Sequence, residues 1–356
     1  MNTLTQLQIL IDENLPDAER YFSQLGKVAF FNGRKIAEYS LYHVSVLIVR
    51  SVTRIDSELL DKMPHLSFIG TATIGIDHLD ISEIEKRNIT WNNAKGCNAL
   101  AVSEYVLQVM GYFYHHHHLP IKRVGVIGAG NTGMALINKL IALHIPFFIC
   151  DPFTKHAHLK DYYRDIEVLF QHCSIVSCHV PLEKTVKNNT EYFITLSLLF
   201  RLPKNALFIN SSRGEVISEF ALLALKEIRS DIFIALDVFE NEPYVNDRLL
   251  QSIDLATPHI AGYSVEGKQR AIYTLFHDCL RFYQVDCNLL STDDESTDSI
   301  SYYLNQETDF YDLYCYLRSY YDIETVSHEF KLHQNQFDML RKSALLRHEC
   351  LSLESE

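Results

Sequence analysis

Residues 122–140 read KRVGVIGAGNTGMALINKL. A basic pair precedes a short apolar run, which enters Gly128, Gly130 and Gly133; apolar residues then recur at helical spacing through Met134, Leu136, Ile137 and Leu140. That is strand, glycine turn and helix in one unbroken stretch. A GxGxxG pattern alone is weak, but here a second strand, IPFFIC at 145–150, follows the helix and ends at Asp151. The full context is that of a dinucleotide-binding βαβ unit. Gly128 permits the tight turn, Gly130 lets the backbone approach a pyrophosphate, and Gly133 lets the helix pack close to the strand. Asn131 and Thr132 open the helix whose N–H groups would face the phosphates. Asp151 would accept hydrogen bonds from the adenosine ribose hydroxyls and repel a 2'-phosphate, so NAD is favoured over NADP. The alternative is a glycine turn in an α/β fold with no ligand.

Downstream, strands are expected at SIVSCHVPL (174–182), ALFINSS (206–212), IFIALDVF (232–239) and LATPHIAG (255–262). Each ends in small or polar residues. Val180, Ser211, Ser212, Arg213, Asp237 and His259 to Gly262 would therefore line one sheet edge, the carboxyl edge where open parallel sheets bind ligands. Arg213, Glu242 in DVFENEP (237–243) and His259 follow three successive strands. Together they supply a cation for a carboxylate, a carboxylate to orient a base, and a base that works near neutral pH. Taken singly, each has a plain structural reading: a loop charge, a turn residue before Pro243, and a helix-start residue after Pro258.

Upstream, LQILIDE (7–13), VLIVRS (46–51), LSFIGTAT (66–73) and ITWNNA (89–94) give four strands of another α/β domain. VRSVT at 49–53 and GTATIG at 70–75 place Arg50, Ser51 and Thr73 at strand ends, in turns rich enough in N–H groups to bind an anion, although both also read as ordinary turns. NALAVSEYVLQVMGYFY (98–114) is a long apolar helix, with Asn98 placed to cap it. Cys97 reads as a packed thiol at the helix start.

These motifs resemble the D-isomer-specific 2-hydroxyacid dehydrogenases over roughly residues 60 to 275. A closer likeness to one branch of that family rests on ILIDENLP (9–16), VRSVTRI (49–55), GTATIGIDHLD (70–80), GCNALAVSEYV (96–106) and TPHIAGYSVEGK (257–268). The resemblance implies that Arg213, Glu242 and His259 are catalytic. It implies that Ser51, Thr73 and Tyr263 contact a small phosphorylated hydroxy acid, and that Asp151, Ser211, Ser212, Arg213, Asp237 and Gly262 contact NAD. It also implies a homodimer formed through a C-terminal domain. Two other readings remain open: a dehydrogenase for another 2-hydroxy acid such as 3-phosphoglycerate, and a non-catalytic dinucleotide-sensing corepressor.

The expected architecture is α/β, with two doubly wound parallel-sheet domains and a small α+β C-terminal dimerisation domain. Residues 1–98 form the flavodoxin-like substrate-binding part, 99–118 a crossing helix, 119–263 the Rossmann NAD domain, 264–290 a return helix and 291–356 the C-terminal domain. STDDESTDSI (291–300) reads as a linker. In the tail, Phe310, Leu313, Tyr314, Leu317 and Tyr321 share one helical face, and FDMLRKSALLRHE (337–349) resembles part of the family's C-terminal dimerisation domain.

Composition sets the outer limits. With 32 basic and 45 acidic residues among 356, the net charge of -13 argues against nucleic-acid and anionic-membrane partners. No export signal or membrane span is evident, and the eight dispersed cysteines lack CxxC spacing, so a cytoplasmic location with reduced thiols is expected. HHHH at 115–118 reads as a solvated connection, and no metal site is expected.

Overall fold

Short apolar runs bounded by polar turns become strands buried on both faces, which is what parallel sheets covered by helices require. The computed structural model describes residues 7–184, 188–285, 302–305 and 307–353. The chain divides into two units, Met1–Asn98 with Glu266–Asp298 and Ala99–Val265 with Ser299–Glu356. The 291–300 stretch lies outside the described residues.

The first unit holds β1 (Leu7–Asp12), β2 (Gly26–Phe31), β3 (Val46–Val49), β4 (Phe68–Thr71) and β5 (Thr90–Asn93), all parallel in the order β2-β1-β3-β4-β5. This is the flavodoxin-like order, with its switch point between β1 and β3. β3 and β4 are buried along their whole length. The helix Val265–Tyr283 covers one face through Ile272, Leu275, Phe276 and Leu280. Burying each such side chain contributes about 1.5–3 kcal/mol. β2 was not among the four strands expected here. It is an edge strand that leaves Lys27, Ala29 and Phe30 exposed, so it lacks the clean alternation of a half-buried strand.

The second unit holds β6 (Val124–Ile127), β7 (Phe147–Cys150), β8 (Ile175–Cys178), β9 (Leu207–Asn210), β10 (Phe233–Leu236) and β11 (Leu255–Ala256), in the order β11-β10-β9-β8-β6-β7. Outside β7, Ile149 makes one parallel bridge to Tyr163. That bridge occupies the place of the third strand of a Rossmann half, here shortened to a single residue pair. The helix Ala99–His117 is buried through most of its length, Ser103, Glu104 and Gln108 included. The cap expected from Asn98 is not made: the turn at 95–98 runs straight into the helix, and Asn98 Oδ1 has no hydrogen-bond partner.

The histidine run is exposed, as a solvated connection would be, but most of it is helical. His115 to His117 form the last turn of that helix, where imidazoles suit the carbonyl end, and their rings pack on Phe113, Phe233, Tyr311 and Tyr314. The seven described cysteines are free thiols.

The C-terminal segment contains β12 (Tyr302–Leu304) and β13 (Leu351–Leu353), paired in parallel, and helices Phe310–Tyr320, Ile323–Leu332 and Phe337–Ser343. Leu304, Leu313, Leu317, Ile323 and Leu351 share one apolar cluster with Val124 and Leu207 of the six-stranded sheet. Tyr314 lies so close to Gly111 that a Cβ there would stand 2.7 Å from its ring. The tail thus buries its aromatic stripe on its own unit.

Candidate active site

β9, β10 and β11 end in register, with Asn210 opposite Leu236 and Leu236 opposite Ala256, so the residues that follow them emerge along one edge. After β9, the buried Asn210 side chain builds the turn. Its Nδ2 donates to Arg213 O at 2.8 Å, and its Oδ1 accepts from Ser212 N at 3.1 Å and Ser212 Oγ at 2.8 Å. Gly214 then presses on the next loop: a Cβ there would lie 2.0 Å from the carbonyl carbon of Phe239. Arg213 is held between these constraints, with Nη1 donating to Ser212 O at 2.7 Å.

Asp237, at the end of β10, is 1% exposed. Its carboxylate accepts from Thr257 Oγ1 at 2.7 Å, Ile260 N at 2.7 Å and Ala261 N at 2.9 Å. Burial pushes its pKa up to about 6, against the opposing pull of His259 and these hydrogen bonds. Asp237, read from the sequence as a cofactor residue, directs its carboxylate at the backbone of the His259 loop. That loop needs the support. His259 has φ of 55°, a left-handed conformation uncommon for a side-chain-bearing residue, and its N–H donates to Asp237 O at 2.8 Å.

His259 Nδ1 meets Glu242 Oε2 at 2.6 Å. Glu242 Oε1 accepts from Phe239 N at 3.1 Å, which fixes the carboxylate from behind. Burial would raise the Glu242 pKa, but the charge and hydrogen bond of His259, with Arg341 beyond, outweigh it and leave it lowered. With Nδ1 engaged by a carboxylate, Nε2 is the ring atom left to exchange a proton. The two side chains are 26% and 20% exposed, so a solute can reach them.

The glycine turn fits a dinucleotide. Gly128 has φ of 92°, and a Cβ there would stand 2.5 Å from His179 O. A Cβ at Gly133 would fall 1.9 Å from Gly128 O, whereas at Gly130 nothing lies within 4 Å, leaving the space a pyrophosphate needs before the helix Asn131–Ala142. Asp151 Oδ2 accepts from Ala129 N at 2.8 Å, and Oδ1 accepts from Phe153 N and Thr154 N, both at 2.8 Å. The carboxylate therefore braces the turn and retains lone pairs for a ribose hydroxyl. Val180 follows β8 beside Gly128, and Ser211 Oγ is buried with no hydrogen-bond partner, a hydroxyl that a bound ligand would satisfy.

In the first unit, Arg50 follows β3 and its Nε meets Asp12 Oδ1 at 2.9 Å, across the β1/β3 switch point. Ser51 is next in the same turn. Thr73 follows β4; its Oγ1 contacts Thr71 Oγ1 at 2.8 Å and donates to Gly75 O at 2.9 Å.

One residue was missed. Arg341, 8% exposed, sits with its guanidinium carbon 5.1 Å from the Tyr263 ring centre. The signal was an arginine four residues after Phe337, on the buried stripe of an amphipathic helix.

Residues 103–261 match the family model for the D-isomer specific 2-hydroxyacid dehydrogenase, NAD binding domain. The chain is 40% identical over 272 residues to an erythronate-4-phosphate dehydrogenase of Shewanella loihica, covering 76% of this chain and 72% of that protein. It is 34% identical over 357 residues to one of Shewanella baltica, covering 98% and 94%. Among solved structures, NAD+-bound 3-phosphoglycerate dehydrogenase of Entamoeba histolytica shares the fold with a TM-score of 0.68 at 22% identity, covering 78% of this chain and 96% of that one. D-Lactate dehydrogenase of Aquifex aeolicus, complexed with NAD and lactic acid, does so at 0.63 and 21%, covering 78% and 95%. With relatives this similar along nearly its whole length, the chain belongs to the erythronate-4-phosphate dehydrogenases, a branch of the D-isomer specific 2-hydroxyacid dehydrogenase family.

Proposed function

We propose that the protein oxidises 4-phospho-D-erythronate at C2 to (R)-3-hydroxy-2-oxo-4-phosphooxybutanoate, with NAD as cofactor, in vitamin B6 biosynthesis. The observation that carries this reading is the 2.6 Å contact of Glu242 with His259. It stands on the sheet edge that also bears the open turn at Gly130. His259 Nε2 takes the C2 hydroxyl proton, and Glu242 stabilises the imidazolium that results. NAD, when bound, accepts the hydride from C2, so the C–H pair leaves as hydride, the O–H proton goes to His259 and the carbonyl forms. Arg213 holds the substrate carboxylate by parallel hydrogen bonds that aim C2.

Arg50, Ser51, Thr73 and Tyr263 contact the substrate in this reading. Gly128, Gly130, Asn131, Thr132, Gly133, Asp151, Val180, Ser211, Ser212, Arg213, Asp237 and Gly262 contact NAD, and Asp237 also shapes the His259 loop. The proposal extends to a cytoplasmic homodimer, paired through the C-terminal segment, that binds neither nucleic acid nor membrane. The net charge of -13 supports the last point. Among the described residues, no helix is long and apolar enough to cross a membrane.

The test is NADH production by the purified protein with 4-phosphoerythronate, 3-phosphoglycerate and D-lactate in parallel. Turnover on the first should exceed the others by orders of magnitude. Equal or better turnover on 3-phosphoglycerate would reassign the substrate.

A further inference from the structure

The helix Phe337–Ser343 brings a buried cation to the loop that carries His259. Arg341 is 8% exposed and stacks over Tyr263, at 5.1 Å, four residues after His259. The chain that follows it is fastened to the same loop. Arg347 Nη1 donates to Ala261 O at 3.4 Å, Val265 N donates to Arg347 O at 2.9 Å, and Ser264 Oγ donates to Glu349 Oε1 at 2.7 Å. A guanidinium removed from water needs compensating charge. Desolvation opposes its ionisation, but Tyr263, Glu242, Asp237 and Asp338 outweigh it and Arg341 stays protonated. Two of those four groups, Glu242 and Asp237, also act on His259.

We infer that Arg341 is a positioning residue for the Glu242–His259 pair, a fixed cation that keeps Glu242 a carboxylate and sets the pH at which the pair releases its proton. It touches Tyr263 and acts on Glu242 through the field, so its role differs from that of Arg213. The inference rests on the proposed reaction for its catalytic meaning. Its electrostatic core can be measured without that reaction.

The groups facing the pair include Arg341, Asp237 and Tyr263, with Asp338 beside Arg341. Removing the one fixed cation among them favours the protonated pair, so the midpoint must move upward. Arg341→Gln should raise the midpoint of kcat against pH by about half to one unit and lower turnover near neutral pH by roughly three- to tenfold. The KM for NAD should stay within about twofold of the parent value. Arg341→Lys, which keeps the charge, should retain the parental midpoint.

The same midpoints should be followed by NMR titration of carbon-13-labelled His259 in the full-length protein without substrate. An inactive parent enzyme would refute the reaction while this titration still decides the role of Arg341. A Gln variant with the parental midpoint overturns the inference, as does a Lys variant that shifts as far as Gln. A large rise in substrate KM at an unmoved midpoint would make Arg341 a substrate ligand instead. Thermal melting checks that each variant is folded. If Gln is not, Arg341→Met takes its place: loss of a fixed cation predicts the same upward shift, and an unmoved midpoint overturns the inference.

Discussion

His259 combines a left-handed backbone with a 2.6 Å bond to Glu242, and Asp237 holds both in place by binding the N–H groups of Ile260 and Ala261. The proposed base is therefore preorganised, and deleting the imidazole should cost turnover without disturbing the cofactor. His259→Ala is expected to lower kcat by about a hundredfold or more, with NAD affinity nearly unchanged, measured by steady-state rates beside NAD titration. A variant with most of its turnover would remove His259 from the mechanism. Arg213 poses a different question, because charge and shape can be separated there. Lys keeps the charge but not the planar fork, so Arg213→Lys should raise the substrate KM and lower kcat, and Arg213→Ala should do more of both. Loss of NAD binding at an unchanged substrate KM would instead make Arg213 a cofactor residue.

At the scale of elements, the turn at 128–133 and the residue that closes its second strand behave as one device. Asp151 fastens Ala129 N, and the proposed reading also sets it against the ribose, so one substitution tests both roles. Asp151→Ala should raise the NAD KM by about tenfold and narrow the preference for NAD over NADP, measured as the ratio of kcat/KM values. A weakened NAD affinity with an unchanged ratio would leave Asp151 only the bracing role. This element was legible in sequence because each of its steps needs a particular residue type: glycine for φ of 92° at 128, no side chain at 130 and an acid at 151. The same holds for Arg213, Glu242 and His259, polar residues after buried strands. What escaped reading has physical reasons. β2 is half exposed, the Tyr163 strand is one bridge long, and the turn before Ala99 gives Asn98 no donor. Arg341 escaped because burial of an arginine depends on partners far away in the chain.

For the molecule as a whole, the second unit is tied together by buried charge as much as by its sheet. Glu104 on the helix Ala99–His117, Lys139 on the helix Asn131–Ala142, and Arg347 and Glu349 in the C-terminal segment are 2%, 2%, 6% and 7% exposed. Lys139 Nζ donates to Ser103 Oγ at 2.9 Å, and Glu104 Oε1 accepts from Cys350 N at 3.1 Å and Leu351 N at 2.8 Å. Desolvation lowers the Lys139 pKa, countered by Glu104 and Glu349; desolvation raises that of Glu104, countered by Arg347 and Lys139. Two acids and two bases balance, and removing one base leaves an acid uncompensated away from water. Lys139→Met should thus destabilise the fold by about 3–5 kcal/mol in denaturant titration. Glu104→Gln keeps an oxygen for the Cys350 and Leu351 N–H groups but removes one negative charge, so adding it to Lys139→Met restores neutrality. The double variant should therefore be more stable than the sum of the single losses by about 1 kcal/mol or more. Strict additivity would mean that Lys139 and Glu104 do not share one field.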